Sequence, residues 1–153
     1  MPTLLVADDD ADHREMLTLI LRRCGYDVIP TADAAAAASA LRAGGVDAAL
    51  LDLRMPGESG IDLCRRMRAE PGTRLLPVLL ISAMADDRQV LAALSAGADD
   101  YLTKPFSRDE LRARLDALLL DGSGAIRAQA RAATAAAMSA RPASHRTPVG
   151  HPA

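Results

Sequence analysis

Short runs of consecutive apolar residues alternate along this chain with segments whose apolar positions recur at helical spacing. Thr3–Ala7 is such a run and ends in Asp8-Asp9-Asp10. Asp12 then stands where it can cap a helix carrying Met16, Leu17, Ile20 and Leu21 on one face, with Gly25 as its stop. Tyr26–Pro30 is a second short strand, and Asp33 caps an alanine-rich helix ending near Gly44-Gly45. Val46–Leu53 is a nearly continuous apolar strand, followed by a Met55-Pro56-Gly57 loop and a helix from Gly60 to about Glu70. Pro71-Gly72 breaks that helix, and Pro77–Ala83 is another apolar run. Asp86 or Asp87 opens a helix ending at Ala96-Gly97, Asp100–Thr103 is a fifth strand, and Ser107 caps a last helix through Leu119.

Five strands thus alternate with five helices. The inner strands are apolar at consecutive positions, as expected where helices cover both faces of a parallel sheet. No Asn-Gly or Asp-Gly dipeptide joins two strands, which argues against hairpins. The pattern predicts an α/β domain, a doubly wound five-stranded parallel sheet with right-handed crossovers, over residues 1–120. After Leu120, Asp-Gly-Ser-Gly signals a linker, and residues 121–153 form an Ala/Arg/Pro-rich tail. Ala125–Ala140 has high helix propensity but no broad apolar stripe, so its helix is expected to be marginal. Arg141–Ala153 contains three prolines and is expected to be disordered.

Charge sharpens this picture. The net charge is −2, yet the tail carries four arginines against Asp121 alone, which leaves about −5 on residues 1–120. An acidic body argues against direct nucleic-acid binding. No apolar run approaches the ~18 residues of a membrane span, and no secretory leader is evident, so a cytoplasmic protein is expected. Cys24 and Cys64 are expected to be small buried hydrophobes in a reduced compartment.

The polar residues of the strand pattern share one position. Asp8 and Asp9 end the first strand, Asp52 the third and Ser82 the fourth, and Lys104 follows the fifth. Ligands of open parallel sheets bind beyond the carboxyl ends of the strands, where strand order reverses. With the order 2-1-3-4-5, Asp8, Asp9 and Asp52 converge there. Three carboxylates in one pocket take up protons or a cation, and an all-oxygen donor set favours Mg²⁺ or Mn²⁺. A carboxylate beside that ion can attack a phosphoryl group and hold it as an acyl phosphate. The transferred group then needs donors and cations on its oxygens. Ser82 offers a hydroxyl, and Lys104, the only lysine beside 17 arginines, offers a compact ammonium.

The sequence Leu-Leu-Val-Ala-Asp8-Asp9-Asp10, then Leu-Leu-Asp52-Leu-Arg-Met-Pro-Gly-Glu-Ser-Gly60, Leu-Ile-Ser82-Ala and Asp-Asp-Tyr101-Leu-Thr-Lys104-Pro105-Phe106 resembles the receiver domain of bacterial two-component response regulators. The resemblance covers residues 3–119 and implies a flavodoxin-like fold. It implies that Asp52 is the phosphoacceptor, that Asp9, Asp52 and the Arg54 carbonyl bind Mg²⁺ directly, and that Asp8 acts largely through water. It casts Ser82 and Lys104 as the groups that close on the phosphoryl, Tyr101 as an aromatic switch coupled to Ser82, and Lys104–Pro105 as a cis peptide that aims the lysine. The implied phosphodonor is a histidine kinase or a histidine phosphotransfer protein. The implied chemistry is the chain's own phosphorylation and dephosphorylation rather than enzymatic turnover of substrates.

Several expectations depend on single positions. Met84, two past Ser82, cannot position an attacking water, which predicts slow self-dephosphorylation. Without an output domain in the sequence, a stand-alone regulator acting through protein contact or by passing the phosphoryl group onward is expected. The face made by the fourth helix, fifth strand and fifth helix could form a phosphorylation-dependent homodimer. Asp100, Arg114 and Glu110 match ion-pair positions there, whereas Val90 and Asp121 stand where basic residues are expected. A contact-only binding module is the alternative, and complete acidic, Ser82 and Lys104 sets argue against it. An aspartyl-phosphate hydrolase would require a second acid two past Asp52, where this chain has Arg54.

Overall fold

The computed structural model describes residues 1–83 and 86–120. The elements run β1 (Thr3–Ala7), α1 (Ala11–Arg23), β2 (Asp27–Thr31), α2 (Ala34–Ala43), β3 (Ala48–Asp52), α3 (Gly60–Ala69), β4 (Val78–Ser82), α4 (Asp87–Ser95), β5 (Asp100–Thr103) and α5 (Arg108–Leu120). All neighbouring strands pair in parallel, in the order β2-β1-β3-β4-β5. The doubly wound sheet expected from the sequence is the sheet observed. The readings of residues 121–153 and of Met84 lie outside the described residues.

Strand alternation sorts the apolar side chains onto two faces. Leu5, Ala49, Leu51, Leu80 and Tyr101 meet Ala37, Leu63, Cys64 and Met67 in one core beneath α2, α3 and α4. Leu4, Val6, Leu50, Leu79, Ile81 and Leu102 meet Leu17, Leu21, Leu111 and Leu115 in the other, beneath α1 and α5. Every residue of β3 and β4 is buried, which is why these strands read as continuous apolar runs. Each fully buried leucine contributes about 1.5–3 kcal/mol relative to exposure. Alanines carry the buried face of α2 and let it lie close on the sheet.

Some boundaries differ from expectation. Asp10, not Asp12, caps α1, accepting from the amides of Asp12 and His13. Asp12 falls inside the first turn, where its charge suits the positive end of the helix dipole. Met16 is exposed, because the narrow stripe Leu17–Leu21 suffices to seat the helix. β2 is shifted one residue onward, ending at Thr31, whose buried hydroxyl donates to the Val6 carbonyl. Pro30 is tolerated because β2 is an edge strand. β3 is shorter than Val46–Leu53, running Ala48–Asp52, with Asp47 just before it exchanging hydrogen bonds with the Thr3 backbone. Cys64 is buried as expected, but Cys24 is only half-buried because it caps the end of α1. Gly25 follows it at φ 97°, a conformation that favours glycine. Asp33, Ser59, Asp86 and Ser107 each accept from an amide at the start of the next helix.

Candidate phosphoryl site

The carboxyl ends of β1, β3 and β4 and the segment after β5 open into one cleft of about 940 Å³, whose wall includes Asp9, Asp52, Arg54, Met55, Ser82 and Lys104. Asp52 closes β3 and is 7 % exposed. Its Oδ1 accepts from the Arg54 amide at 2.9 Å, and its Oδ2 accepts from Lys104 Nζ at 2.7 Å. The backbone holds this pair in register. The Lys104 amide donates to the Ser82 carbonyl at 2.8 Å, and the Leu53 amide donates to the Ile81 carbonyl at 2.8 Å. β5 is thereby tied to β4, and the end of β3 to β4. The Lys104–Pro105 peptide is cis. α3 begins directly against the acceptor strand: Gly60 donates its amide to the Leu53 carbonyl at 3.0 Å. A Cβ on Gly60 would collide with the Asp52 carbonyl oxygen.

Asp8 is almost wholly buried at the end of β1. Its Oδ1 accepts from the Asp10 amide at 3.0 Å, its carbonyl accepts from Arg14 at 2.7 Å, and its Oδ2 contacts His13 Nδ1. Asp9 is exposed on the cleft wall. Ser82 is buried at the end of β4, and Tyr101 lies inward among the apolar residues beneath α4. Arg54 is exposed beside Asp52. The structure therefore brings Asp8, Asp9, Asp52, Arg54, Ser82 and Lys104 to one end of the sheet, whereas Tyr101 lies in the apolar core beneath α4.

Among the described residues, the metal-capable cluster is Asp8, His13 and Asp52, whose ligand atoms lie within 4.8 Å of one another. Two buried carboxylates, a third on the wall and an open cleft with room for water fit a divalent cation. Sequence reasoning missed His13. The available signal was its place in the first turn of α1, which starts beside the end of β1.

A parallel 2-1-3-4-5 sheet with an acidic cleft at its switch point, closed by a serine and a lysine, is the architecture of a phosphoacceptor signalling domain. The chain belongs to the response regulator receiver domain family, whose model matches residues 4–116. It is 45 % identical over 116 residues to the DNA-binding response regulator MtrA of Mycobacterium tuberculosis, an alignment covering 76 % of this chain and 50 % of that protein. It is 38 % identical over 117 residues to the phosphate regulon transcriptional regulatory protein PhoB of Pseudomonas aeruginosa, covering 76 % and 51 % respectively. The chain thus spans about half the length of the curated relatives it matches. Among solved structures, the receiver domain of the sensor histidine kinase PA1611 from Pseudomonas aeruginosa holds a magnesium ion in its active site cleft. It superposes with a TM-score of 0.72 at 31 % identity, covering 77 % of this chain and 97 % of that one. No helix among the described residues is long and apolar enough to cross a membrane.

Proposed function

We propose that Asp52 accepts a phosphoryl group from a phosphohistidine on a histidine kinase or phosphotransfer protein. The observation that carries this reading is the Asp52–Lys104 pair, set at 2.7 Å inside the cleft that Asp9 and Ser82 also line. Asp8, Asp9 and Asp52, with the Arg54 carbonyl, are the groups that would hold Mg²⁺, with Mn²⁺ as the alternative. When bound, that cation offsets negative charge on the phosphoryl oxygens.

An Asp52 carboxylate oxygen attacks phosphorus while the bond to the imidazole nitrogen breaks. The nitrogen leaves with the bonding electrons, and the product is an acyl phosphate. Lys104 moves its ammonium from the carboxylate to a phosphoryl oxygen, and the Ser82 hydroxyl donates to another. The new group carries about −1.5 to −2 charges, as phosphorylated side chains generally do. That charge draws Ser82 and Lys104 inward and biases Tyr101, changing the surface offered to a partner. Water later attacks phosphorus and releases inorganic phosphate, so the chain catalyses only its own phosphorylation and dephosphorylation. The proposed location of this cycle is the cytoplasm.

A homodimer through α4, β5 and α5 is the proposed phosphorylated assembly. Within one chain, Asp100 and Arg114 already pair at 2.7 Å, so that contact must rearrange to cross between subunits.

The decisive test exposes the protein to a small phosphodonor with and without Mg²⁺ and reads the intact mass. One Mg²⁺-dependent phosphoryl adduct, absent in Asp52→Asn, is the expected result. A folded wild-type protein that gains no adduct from either the donor or a histidine kinase would instead support a contact-only module.

A further inference from the structure

Beside Asp8 and Asp52 stands a nitrogen donor that the proposed chemistry leaves unused. His13 sits in the first turn of α1, where Asp10 caps the helix and accepts from the His13 amide at 3.2 Å. Its Nδ1 faces Asp8 Oδ2. The ring also meets Phe106 in a T-shaped contact, with centroids 6.2 Å apart and planes at 79°. Phe106 lies two residues beyond Lys104, so the imidazole touches the segment that carries the lysine as well as Asp8. Helix, carboxylate and aromatic edge together leave the ring little freedom.

The metal-capable atoms of His13, Asp8 and Asp52 are no more than 4.8 Å apart, so a point between them lies within about 2.8 Å of all three. Nitrogen and carboxylate ligands bind first-row divalent ions at about 2.0–2.2 Å, a contraction that small side-chain shifts supply. Imidazole adds little for Mg²⁺, which takes oxygen donors and keeps its water. For ions further along the transition series the same nitrogen is a favoured ligand.

We propose that His13 makes this cleft a mixed nitrogen–oxygen centre, ligating a later transition-series divalent cation such as Co²⁺ together with Asp8 and Asp52. This rests on the reading of the cleft as a cation-dependent phosphoacceptor site and specifies which cation it selects. Ligation replaces the Nδ1 contact to Asp8 with a bond to the metal and frees Asp8 Oδ2 to coordinate as well. The cation thereby bridges α1 to the acceptor strand.

The test uses the full chain carrying His145→Gln and His151→Gln, which leaves His13 as the sole imidazole. Mn²⁺ binding is read by pulsed electron paramagnetic resonance, where a directly bound imidazole produces ¹⁴N modulation. Mg²⁺, Mn²⁺ and Co²⁺ affinities are measured by calorimetry. The modulation is expected in this protein and lost on adding His13→Gln, a variant whose amide can still hydrogen-bond Asp8. Co²⁺ affinity should fall tenfold or more, while Mg²⁺ affinity changes less than threefold. Circular dichroism checks that each variant is folded. Mn²⁺ binding without ¹⁴N modulation, or equal losses for Mg²⁺ and Co²⁺, would overturn the nitrogen ligand and leave the phosphoacceptor reading standing. Failure of a folded protein to bind any of the three ions would overturn both.

Discussion

The closeness of α3 to the acceptor strand can be measured by placing one methyl group. In Gly60→Ala the new Cβ meets backbone only: the Asp52 carbonyl oxygen, its carbon at 3.0 Å and Leu53 Cα at 3.2 Å. None of these can swing aside as a flexible side chain would. The start of α3 must withdraw from β3, stretching the 3.0 Å bond from the Gly60 amide to the Leu53 carbonyl. Overpacking of this kind costs about 1–3 kcal/mol. Against it stands a gain of about 0.4–1 kcal/mol, because alanine restricts the unfolded chain more than glycine does. The net expectation is a loss of roughly 1–2 kcal/mol, or about 3–10 °C in Tm for a domain of this size. Gly72→Ala is the internal control. Its Cβ enters open space, so only the chain-entropy gain applies and stability should rise slightly. Urea unfolding followed by circular dichroism suits a chain without tryptophan. Opposite signs for the two substitutions are expected. A Gly60→Ala protein as stable as wild type would refute the tight approach of α3 to Asp52.

Three further outcomes follow from the packing and charges. Leu51→Ala, at a fully buried position, should cost about 2–5 kcal/mol in urea unfolding, whereas Leu19→Ala, at an exposed one, should cost under about 0.5 kcal/mol. Arg68→Met should cost about 2–4 kcal/mol, because the guanidinium joins the Gly97 and Thr73 carbonyls and the Asp99 carboxylate; the ion-pair share would appear as coupling in a double-mutant cycle with Asp99→Asn. The Tyr26 phenol is held above its ordinary pKa of 10.0 by burial first and then by its hydrogen bond to Asp116. As pH rises past 10.0 the unfolded chain releases this proton before the folded one, so stability falls until the folded phenol ionises too. In a Tyr101→Phe background, ultraviolet titration should place the Tyr26 midpoint above 10.0, and Asp116→Asn should lower it; a wild-type midpoint at or below 10.0 would contradict the packing at this ring.

The order and kind of the elements were legible because the physics behind them is local. β3 and β4 are buried on both faces and announce it residue by residue. The caps Asp33 and Ser107 precede apolar stripes as a cap should. Where several equivalent residues compete, sequence gives no ranking. Three consecutive aspartates followed by Asp12 offer four carboxylates, and only backbone geometry selects Asp10 to cap α1 and Asp8 to enter the cluster. Thr31 joins β2 because its hydroxyl reaches a carbonyl on β1, a contact between distant segments. His13 was overlooked for the same reason. Its chemistry depends on Asp52 and Phe106, which the fold brings to it from distant stretches of chain, as well as on Asp8 five residues before it.

Lys104 has a chemical consequence beyond its role as counter-ion. All other basic side chains of the Lys and Arg class in this sequence are arginines, so the molecule has one side-chain amine besides its N-terminus. Reagents that acylate or reductively methylate amines act on it at a single internal address, beside Asp52. Guanidinium groups are untouched by such reagents, which makes mild methylation with a carbon-13 label a site-specific spectroscopic tag that needs no engineered residue. The tagged nitrogen keeps its positive charge, and its resonance will record when the ammonium leaves the carboxylate.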